Sequence, residues 1–414
     1  MNRKSLIVVG AGPAGLMAAI TAADAGQVVT IFEAMPKPAR KLGISGKGRG
    51  NVTNTDPYDK FLLHFNNKGR FLKTAFKKFF NEDLIQFLRK ENLPTVIERG
   101  GRVFTATGKA TDIVNCLHKA ITKRGINLKT QTPIKDLIIK DGKCIGVSTE
   151  KSNFYANNVV IATGGLSYPA TGSTGDGLRL AKKYGHTIIN PLPSLCALKT
   201  KTPLPKYLEG VAPRNINVKL FVNGKKASEE FGEMLFQDGC LAGPVMITLS
   251  RIAVPALEEK RKCEIVIDFK PALDYSKLDK RILRDIQEKK EVPFVSLIGG
   301  LLPNGLRQYC IKSLNLDSKV KSNQTTADCR KKLEKWLKEL KFEITGHTSW
   351  EQAIVTAGGV STKEIDSTTM QSKLIKNLYF AGEIIDIDAD TGGYNLQAAF
   401  STGHLAGYSV SETQ

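Results

Sequence analysis

The chain has 414 residues, too many for one ordinary domain, and its hydrophobic fraction of 41% is typical of a folded protein. Its seven cysteines are scattered and form no Cys-x-x-Cys pair, which argues against a disulfide framework or a zinc ribbon and favours the reducing cytoplasm. No apolar run is long enough to span a bilayer, and the charged start leads into a strand without a signal-peptide cleavage site. We therefore expect a cytoplasmic protein of two or three domains with no membrane span.

The net charge of +20 is distributed unevenly. Residues 1–190 contain 29 Lys and Arg against 13 Asp and Glu, whereas residues 342–414 contain 3 against 9. A surplus of this size can attract nucleic acid, or it can serve solubility alone. We favour solubility, because no compact basic tract interleaved with aromatic residues stands out, and we keep RNA as the alternative partner.

The N-terminal segment has the pattern of a dinucleotide-binding βαβ unit. A strand-like run leads into Gly10, Gly12 and Gly15 in a G-x-G-x-x-G motif, a helix-like run follows, and a second strand ends at Glu33. In such a unit the first glycine permits a tight turn, the second lets the backbone approach a pyrophosphate, and the third lets the helix pack close to the strand. The helix N-terminus attracts the diphosphate, and Glu33 stands near the position of a carboxylate that bonds a ribose hydroxyl. The segment therefore predicts a nucleotide cofactor.

A second glycine turn, Thr163-Gly164-Gly165, follows the strand-like run 158–162. We expect that run to close a β-meander with strands at 137–139 and 144–147, and its small-residue turn to approach the cofactor. A cluster of prolines then marks a domain boundary near residue 190. Residues 214–270 are predicted to be short strands, and residues 276–341 are predicted to be mainly helical.

A third glycine turn lies near the C-terminus. Phe380-Ala-Gly-Glu383 ends a buried strand, and Thr391-Gly-Gly-Tyr-Asn395 opens a helix. A helix N-terminus directed at a flavin ring can stabilise the negative charge that develops on the reduced ring. Asp386, Asp388 and Asp390 lack the spacing of a calcium-binding loop, so we predict no metal site.

Taken together, these segments resemble the bacterial NAD(P)/FAD-dependent oxidoreductase flavoproteins, a family with aminoacetone-oxidase-like members. The most specific segments are 40–54 (RKLGISGKGRGNVTN), 232–236 (GEMLF) with Gly243-Pro244, 355–360 (VTAGGV), and 380–395. The FAD domain of this family is similar to that of fumarate-reductase-like flavoproteins, which share the ATGG and TGDG elements found here at 162–165 and 174–177.

The resemblance implies an α/β fold with a Rossmann-like FAD-binding domain built from both chain ends, residues 1–190 and 342–414. It implies an inserted β-barrel-like domain, residues 191–275, with a helical subdomain, residues 276–341. The cofactor-binding residues predicted from the motifs and the resemblance are Gly10, Gly12, Pro13, Ala14, Gly15, Glu33, Lys41, Ser45, Gly46, Gly48, Ala162, Thr163, Gly164, Gly382, Glu383, Gly393, Asn395 and Leu396.

Two departures from the family pattern bear on chemistry. Gly50 stands where relatives usually carry a cysteine, so this chain has no thiol there, and Gln237-Asp238 stands where relatives usually carry Thr-His. The five histidines share no motif. The weak catalytic candidates are Arg49, which could bind a substrate carboxylate or carbonyl, and Tyr394, which could donate a proton or stack on the ring.

Three functions stay open at this point. The favoured one is an FAD-dependent oxidoreductase with flavin-mediated hydride transfer to or from a small organic substrate. That substrate is expected at the interface of the FAD and inserted domains, with NAD(P)H as the expected reductant. The alternatives are an RNA-binding flavoprotein and a flavin-containing scaffold or sensor without turnover.

Overall fold

The computed structural model describes residues 4–412. Its strands are β1 (Ser5–Val9), β2 (Val28–Phe32), β3 (Asn51–Asn54), β4 (Thr95–Glu98), β5 (Arg102–Thr105), β6 (Asn127–Lys129), β7 (Asp136–Lys140), β8 (Lys143–Ser148), β9 (Asn153–Tyr155), β10 (Asn158–Ile161), β11 (Ile188–Ser194), β12 (Leu198–Thr200), β13 (Ile216–Val222), β14 (Lys225–Gly232), β15 (Leu235–Gln237), β16 (Cys240–Ala242), β17 (Cys263–Asp268), β18 (Leu340–His347), β19 (Val355–Val360) and β20 (Leu378–Phe380).

The α-helices of the same residues are α1 (Pro13–Asp24), α2 (Arg40–Gly43), α3 (Tyr58–Leu63), α4 (Lys73–Lys78), α5 (Asn81–Lys90), α6 (Ala110–Lys123), α7 (Asp176–Lys183), α8 (Pro244–Glu258), α9 (Tyr275–Glu288), α10 (Phe294–Leu297), α11 (Asn304–Ser313), α12 (Ala327–Lys338) and α13 (Tyr394–Glu412). The described chain forms two compact units: unit 1 extends up to Pro193 and resumes at Ala353, and unit 2 is Ser194–Gln352.

Unit 1 is built on a five-stranded parallel sheet in the order β20-β10-β1-β2-β6. In its register Ile7 lies opposite Val159 on one side and Thr30 on the other. The strands nearest the centre are runs of buried residues, as expected when both faces of a parallel sheet are covered. The predicted α/β, Rossmann-like fold is therefore confirmed.

The predicted position of β10 is wrong. Residues 158–161 pair with β1 and β20 in the parallel sheet, and the third strand of the meander is β9, which pairs with β8. The reason is visible in burial: all four residues of β10 are buried, whereas those of β9 are partly or fully exposed. A continuous buried run belongs to a covered parallel strand and not to a half-exposed meander.

Helix α13 crosses α1 at very short range. A Cβ atom on Gly403 would lie 2.2 Å from the Ala14 carbonyl oxygen, and one on Gly407 would lie 2.4 Å from that of Ala18. Only glycine allows backbones to approach this closely. The crossing fixes the C-terminal helix against the first helix of the βαβ unit.

Unit 2 contains one seven-stranded antiparallel sheet in the order β14-β13-β17-β18-β12-β16-β15. Asn223-Gly224 forms the turn of the β13–β14 hairpin, as predicted. Two sequence interpretations need correction. Residues 244–258 form α8 and not a strand, and residues 342–347, assigned to the FAD domain, belong to β18, which pairs with β17 and β12.

No helix within residues 4–412 combines the length and the apolar character needed to cross a membrane.

Candidate functional site

The glycine motif forms the turn between β1 and α1. Gly10 has a φ of +101°, and a Cβ there would lie 2.6 Å from the Ala162 carbonyl oxygen at the end of β10. A Cβ on Gly15 would lie 2.0 Å from the Gly10 carbonyl oxygen. By contrast, a Cβ on Gly12 would meet no atom of the described chain within 4 Å. Two glycines therefore close the turn internally, and the third faces open space that a cofactor can enter.

Glu33 follows β2 at the same edge of the sheet. Its Oε2 accepts a hydrogen bond of 2.8 Å from the Ala11 amide, and its Oε1 accepts one of 2.8 Å from the Met35 amide. The carboxylate is thus fixed beside the glycine turn, while each oxygen retains a lone pair for a further donor. Its predicted contact with a ribose hydroxyl stays a prediction.

Three polar atoms are buried without a hydrogen-bond partner among the described residues, two at predicted cofactor-binding residues and one close to them in the chain: Ser45 Oγ, Thr163 Oγ1 and Asn51 Oδ1. Buried polar groups without partners are rare in native proteins, and each one calls for a ligand, an ion or water. Ser45 and Asn51 lie in the segment 40–54, which is one of the segments that carry the family resemblance. Thr163 lies in the turn after β10. The residues present therefore fit a polar cofactor.

The segment 46–50 depends on glycine. Gly46, Gly48 and Gly50 all have positive φ angles. A Cβ on Gly50 would lie 2.6 Å from Ile113 Cδ1, so helix α6 occupies the space that a cysteine side chain at this position would need. Glycine stands at position 50, where relatives usually carry cysteine, and α6 packs closely against it.

Lys41, Ser167 and Glu383 form a partly buried network. Lys41 Nζ donates to Ser167 Oγ at 2.6 Å and to the two Glu383 oxygens at 2.9 and 2.7 Å. The Ser167 hydroxyl and the Thr356 amide also donate to Glu383 Oε1, both at 2.8 Å. Burial would raise the pKa of Glu383, but the charge of Lys41 and these hydrogen bonds outweigh it and hold the pKa below its usual range. Glu383 is therefore ionised and fixed in orientation.

The start of α13 packs directly on β3. A Cβ on Gly393, whose φ is +103°, would lie 2.4 Å from the carbonyl carbon and oxygen of Thr53. The Asn395 side chain accepts a hydrogen bond from the Ala389 amide at 2.8 Å and donates to the Ala389 carbonyl at 2.9 Å. Asn395 thus holds the loop before the helix, and its predicted contact with the flavin stays a prediction.

The two weak catalytic candidates are both engaged within the chain. Arg49 pairs with Glu98, and its guanidinium carbon lies 4.4 Å from the centre of the Phe104 ring. Tyr394 is buried, and its hydroxyl donates to Asp56 Oδ2 at 2.6 Å. Burial and the adjacent Asp56 carboxylate raise the pKa of Tyr394 far above its usual range. Tyr394 therefore keeps its proton, and its roles as proton donor or ring partner stay predictions.

Sequence reasoning missed a histidine beside these residues. His64 stacks on Tyr394 with ring centres 3.8 Å apart, and its two ring nitrogens face Asp390 and Asp56. Asp390 is 326 residues away in the chain, so no local spacing could have connected the two side chains. Within residues 4–412, no three His, Cys, Asp or Glu side chains are grouped so that they could hold a metal ion, and the absence of a metal site stays a prediction.

A glycine-turn βαβ unit, two further glycine turns at the same sheet and a set of unpaired buried polar atoms define a dinucleotide-binding flavoprotein architecture. The chain belongs to the HI0933-like protein Rossmann domain family, which matches residues 4–409. Together with the relatives described next, this assignment confirms the predicted class, an FAD-dependent oxidoreductase.

Several curated proteins match the chain over nearly its whole length. The 3-dehydro-bile acid delta(4,6)-reductase of Clostridium scindens is 27% identical over 100% of both chains. The ribosomal RNA dihydrouridine synthase of Haemophilus influenzae is 28% identical over 98% of both. Among solved structures, the 3-ketosteroid delta1-dehydrogenase from Sterolibacterium denitrificans, in complex with 1,4-androstadiene-3,17-dione, aligns over 100% of both chains with a TM-score of 0.54 and 13% identity, which shows the fold alone.

Proposed function

We propose that this protein is an FAD-dependent reductase that saturates a carbon–carbon double bond conjugated to a carbonyl group. The observation that carries the proposal is that the two relatives described above, which match over almost the whole chain, are named for chemistry of this kind. One reduces the double bonds of a 3-dehydro bile acid, and the other makes dihydrouridine. In each case the double bond that is reduced belongs to a ring and is conjugated with a ring carbonyl group. The shared reaction supports a substrate with a conjugated carbonyl group. It does not favour a bile acid over a uridine.

The residues that would hold FAD are the predicted ones, at positions whose geometry suits the cofactor. The glycine turn and the N-terminus of α1 would bind the pyrophosphate, and Glu33 would bind the ribose. The turns that contain Ser45, Thr163 and Gly393 would line the remainder of the cofactor. When bound, FAD would supply the two-electron chemistry, while the chain supplies binding, orientation and electrostatics.

Helix α13 supplies the main electrostatic element of this proposal. It has 19 residues, and its first turn contains no acidic side chain. The partial positive charge of a helix N-terminus favours a nearby anion. Its amide groups would face the side of the ring system where negative charge develops on reduction. Gly392 and Gly393 both have positive φ angles, and Gly393 lets the start of the helix pack directly against Thr53 of β3, which fixes its position.

The test is an anaerobic absorbance titration of the FAD-loaded protein with NADH and, separately, NADPH. Bleaching of the flavin bands by one of them, followed by recovery on adding a cyclic enone, is the expected result. Bands that persist with both donors would contradict the role of NAD(P)H and favour a scaffold or sensor without turnover. Bleaching without recovery on enone would contradict the proposed substrate class, because the electrons would then have another acceptor.

RNA is the second candidate substrate, and the charge of one surface favours it. The segment 60–78 carries six Lys and Arg residues and no acidic residue, and Arg70, Lys73 and Lys77 are exposed on it. The aromatic residues of the segment mostly face the core, so contacts to phosphate, and not base stacking, would provide the binding. Phosphate contacts of this kind make RNA affinity fall steeply with salt.

The matched variants are Lys73→Glu/Lys77→Glu on α4 and Lys119→Glu/Lys123→Glu on α6, because each pair is exposed and four residues apart. An RNA substrate predicts that the α4 pair weakens RNA binding and reduces the slope of log affinity against log salt by about 2, whereas the α6 pair changes neither as much. Equal effects of the two pairs would indicate non-specific attraction by net charge and would remove RNA as a favoured substrate.

A further inference from the structure

His64 lies between two carboxylates. Its Nδ1 is 2.8 Å from Asp390 Oδ2, and its Nε2 is 3.2 Å from Asp56 Oδ2. A neutral imidazole has one N–H group, so it can donate to only one of these oxygens and must turn a lone pair towards the other. The imidazolium form donates to both. The geometry is therefore satisfied when His64 is positively charged.

The charges around His64 agree with this form. Asp56 also accepts hydrogen bonds from Lys60 Nζ at 2.7 Å and from the Tyr394 hydroxyl at 2.6 Å. Burial would raise the pKa of Asp56, but the hydrogen bonds from Lys60 and Tyr394 and the charge of Lys60, with a further contribution from His64, lower it below its usual range. Asp56 is thus an anion that faces the histidine.

The two carboxylates belong to distant segments that both lead to the predicted cofactor residues. Asp56 follows β3, which begins at Asn51, and Asp390 precedes Gly393 at the start of α13. The His64 carbonyl also accepts a hydrogen bond from the Asp390 amide at 3.3 Å. We propose that His64, as an imidazolium, is a positioning residue that clamps the 386–393 loop to the 54–64 segment and thereby sets the N-terminus of α13 for binding FAD.

Neighbouring contacts show that the clamp acts on the loop as a whole. Lys68 Nζ lies 2.6 Å from Asp386 Oδ1 and 4.0 Å from Asp388 Oδ1. The Asn54 side chain donates to the Gly392 carbonyl at 3.3 Å. The Asn54 contact joins the same two segments and Lys68 lies four residues beyond the second, but His64 is the group among them that faces a carboxylate from each segment. FAD affinity should therefore depend on a side chain at position 64 that can donate to both carboxylates.

The direction of the effect follows from the hydrogen bonds. A cation that donates to both carboxylates holds the 386–393 loop to the 54–64 segment, and FAD binds tightly. A side chain that donates to only one of them leaves the other contact unmade, so the loop is held less firmly and FAD binds more weakly. The loss of a charged hydrogen bond corresponds to a change of roughly tenfold in the dissociation constant.

The experiment is a fluorescence titration of the full-length apoprotein with FAD. His64→Gln, whose amide group can donate to only one of the two carboxylates, is expected to bind FAD roughly tenfold more weakly than the wild type. His64→Arg, whose guanidinium can donate to both, should recover most of the affinity. The matched control is His118→Gln, because His118 is an exposed histidine on α6, and it should behave like the wild type. Equal FAD affinity in the wild type and His64→Gln overturns the proposal.

Asp390→Asn distinguishes a clamp from a direct attraction between the His64 charge and FAD. A clamp predicts that this variant also binds FAD more weakly, because one of the two anchored segments is released. Direct attraction predicts unchanged or tighter binding, because a negative charge has been removed, and that result overturns the positioning role. The inference rests on FAD binding and not on the substrate, so absence of FAD binding in the wild type contradicts the proposed function, whereas unchanged binding in His64→Gln contradicts only the clamp.

Discussion

The glycine turn after β1 and the loop before α13 both lie at the predicted cofactor site, but different interactions fix their conformations. The first is shaped by backbone sterics: Gly10 and Gly15 each stand where a Cβ would overlap a carbonyl oxygen. The second is held by side-chain charge, through His64, Lys68 and their carboxylate partners. A site built on packing resists pH and salt, whereas a site built on ion pairs responds to both. The comparison implies that one end of the cofactor is bound by a rigid element and the other by an adjustable one.

The largest expected effect comes from breaking the rigid element. Gly15→Ala places a Cβ 2.0 Å from the Gly10 carbonyl oxygen and 3.2 Å from Val8 Cγ1, so α1 must move away from β1. Forcing extra atoms into a packed contact of this kind costs about 3 kcal/mol. We expect that loss in the free energy of unfolding of the apoprotein, measured by urea denaturation.

Gly12→Ala is the matched control for this prediction. Its Cβ would meet no atom of the described chain within 4 Å, so the unfolding free energy of the apoprotein should be nearly unchanged. FAD affinity should nevertheless fall by roughly tenfold or more, because the methyl group enters the space that the pyrophosphate approaches. If Gly12→Ala destabilised the apoprotein as much as Gly15→Ala, the distinction between an internal contact and a cofactor contact would be wrong.

A smaller effect is expected at the Lys41–Glu383 pair, which couples packing with charge. Lys41→Met leaves a partly buried carboxylate without its cation, at a cost of about 2 kcal/mol after allowance for its partial exposure. In the wild type the lowered pKa of Glu383 contributes stability at pH values above its unfolded pKa, and this stability is lost as the pH falls through the folded pKa. Without Lys41, burial dominates and raises the pKa of Glu383, so the variant should lose this contribution to stability throughout the neutral range.

The measurement is urea denaturation of both proteins from about pH 3 to about pH 7. The difference in unfolding free energy should be largest near neutral pH and shrink towards acid pH, where the wild type also protonates Glu383. A difference that stayed constant over this range would show that Lys41 stabilises the fold by packing of its aliphatic chain and not by its charge.

The two regions also differ in how far the sequence predicts them. The glycine turn could be predicted because its steric demands are local: the positive φ of Gly10 and the contact of Gly15 with the Gly10 carbonyl both require glycine. The helix α8 was missed because Pro255 and several β-branched residues favour strand or turn over helix in short-range reasoning, and tertiary packing overrides that preference. The strand β10 was assigned to the correct residues but to the wrong sheet, because pairing depends on partners far away in the chain.

The His64 cluster lies beyond local prediction for the same reason. Its carboxylates come from positions 56 and 390, and neither stands at a spacing that relates it to the histidine. The signal that could have found it is the three-aspartate run before α13, which needs cations nearby in the fold, and the basic segment 60–78, which supplies them. Complementary charge between two distant segments predicts that they meet, but not which side chains pair.

The smallest expected effect comes from a substitution at Tyr394, which contacts His64 and Asp56 beside the loop before α13. Tyr394→Phe removes the hydroxyl that donates to Asp56 but keeps the ring that stacks on His64. A hydrogen bond to a charged group contributes about 1.5 kcal/mol, and we expect that loss of stability by urea denaturation at neutral pH. Tyr58→Phe is the control, because its hydroxyl donates to the Lys73 carbonyl at 3.1 Å on the exposed side and should contribute less. If Tyr394→Phe also abolished flavin reduction while FAD stayed bound, the hydroxyl would have a catalytic role, because the lost hydrogen bond to Asp56 affects stability and not electron transfer.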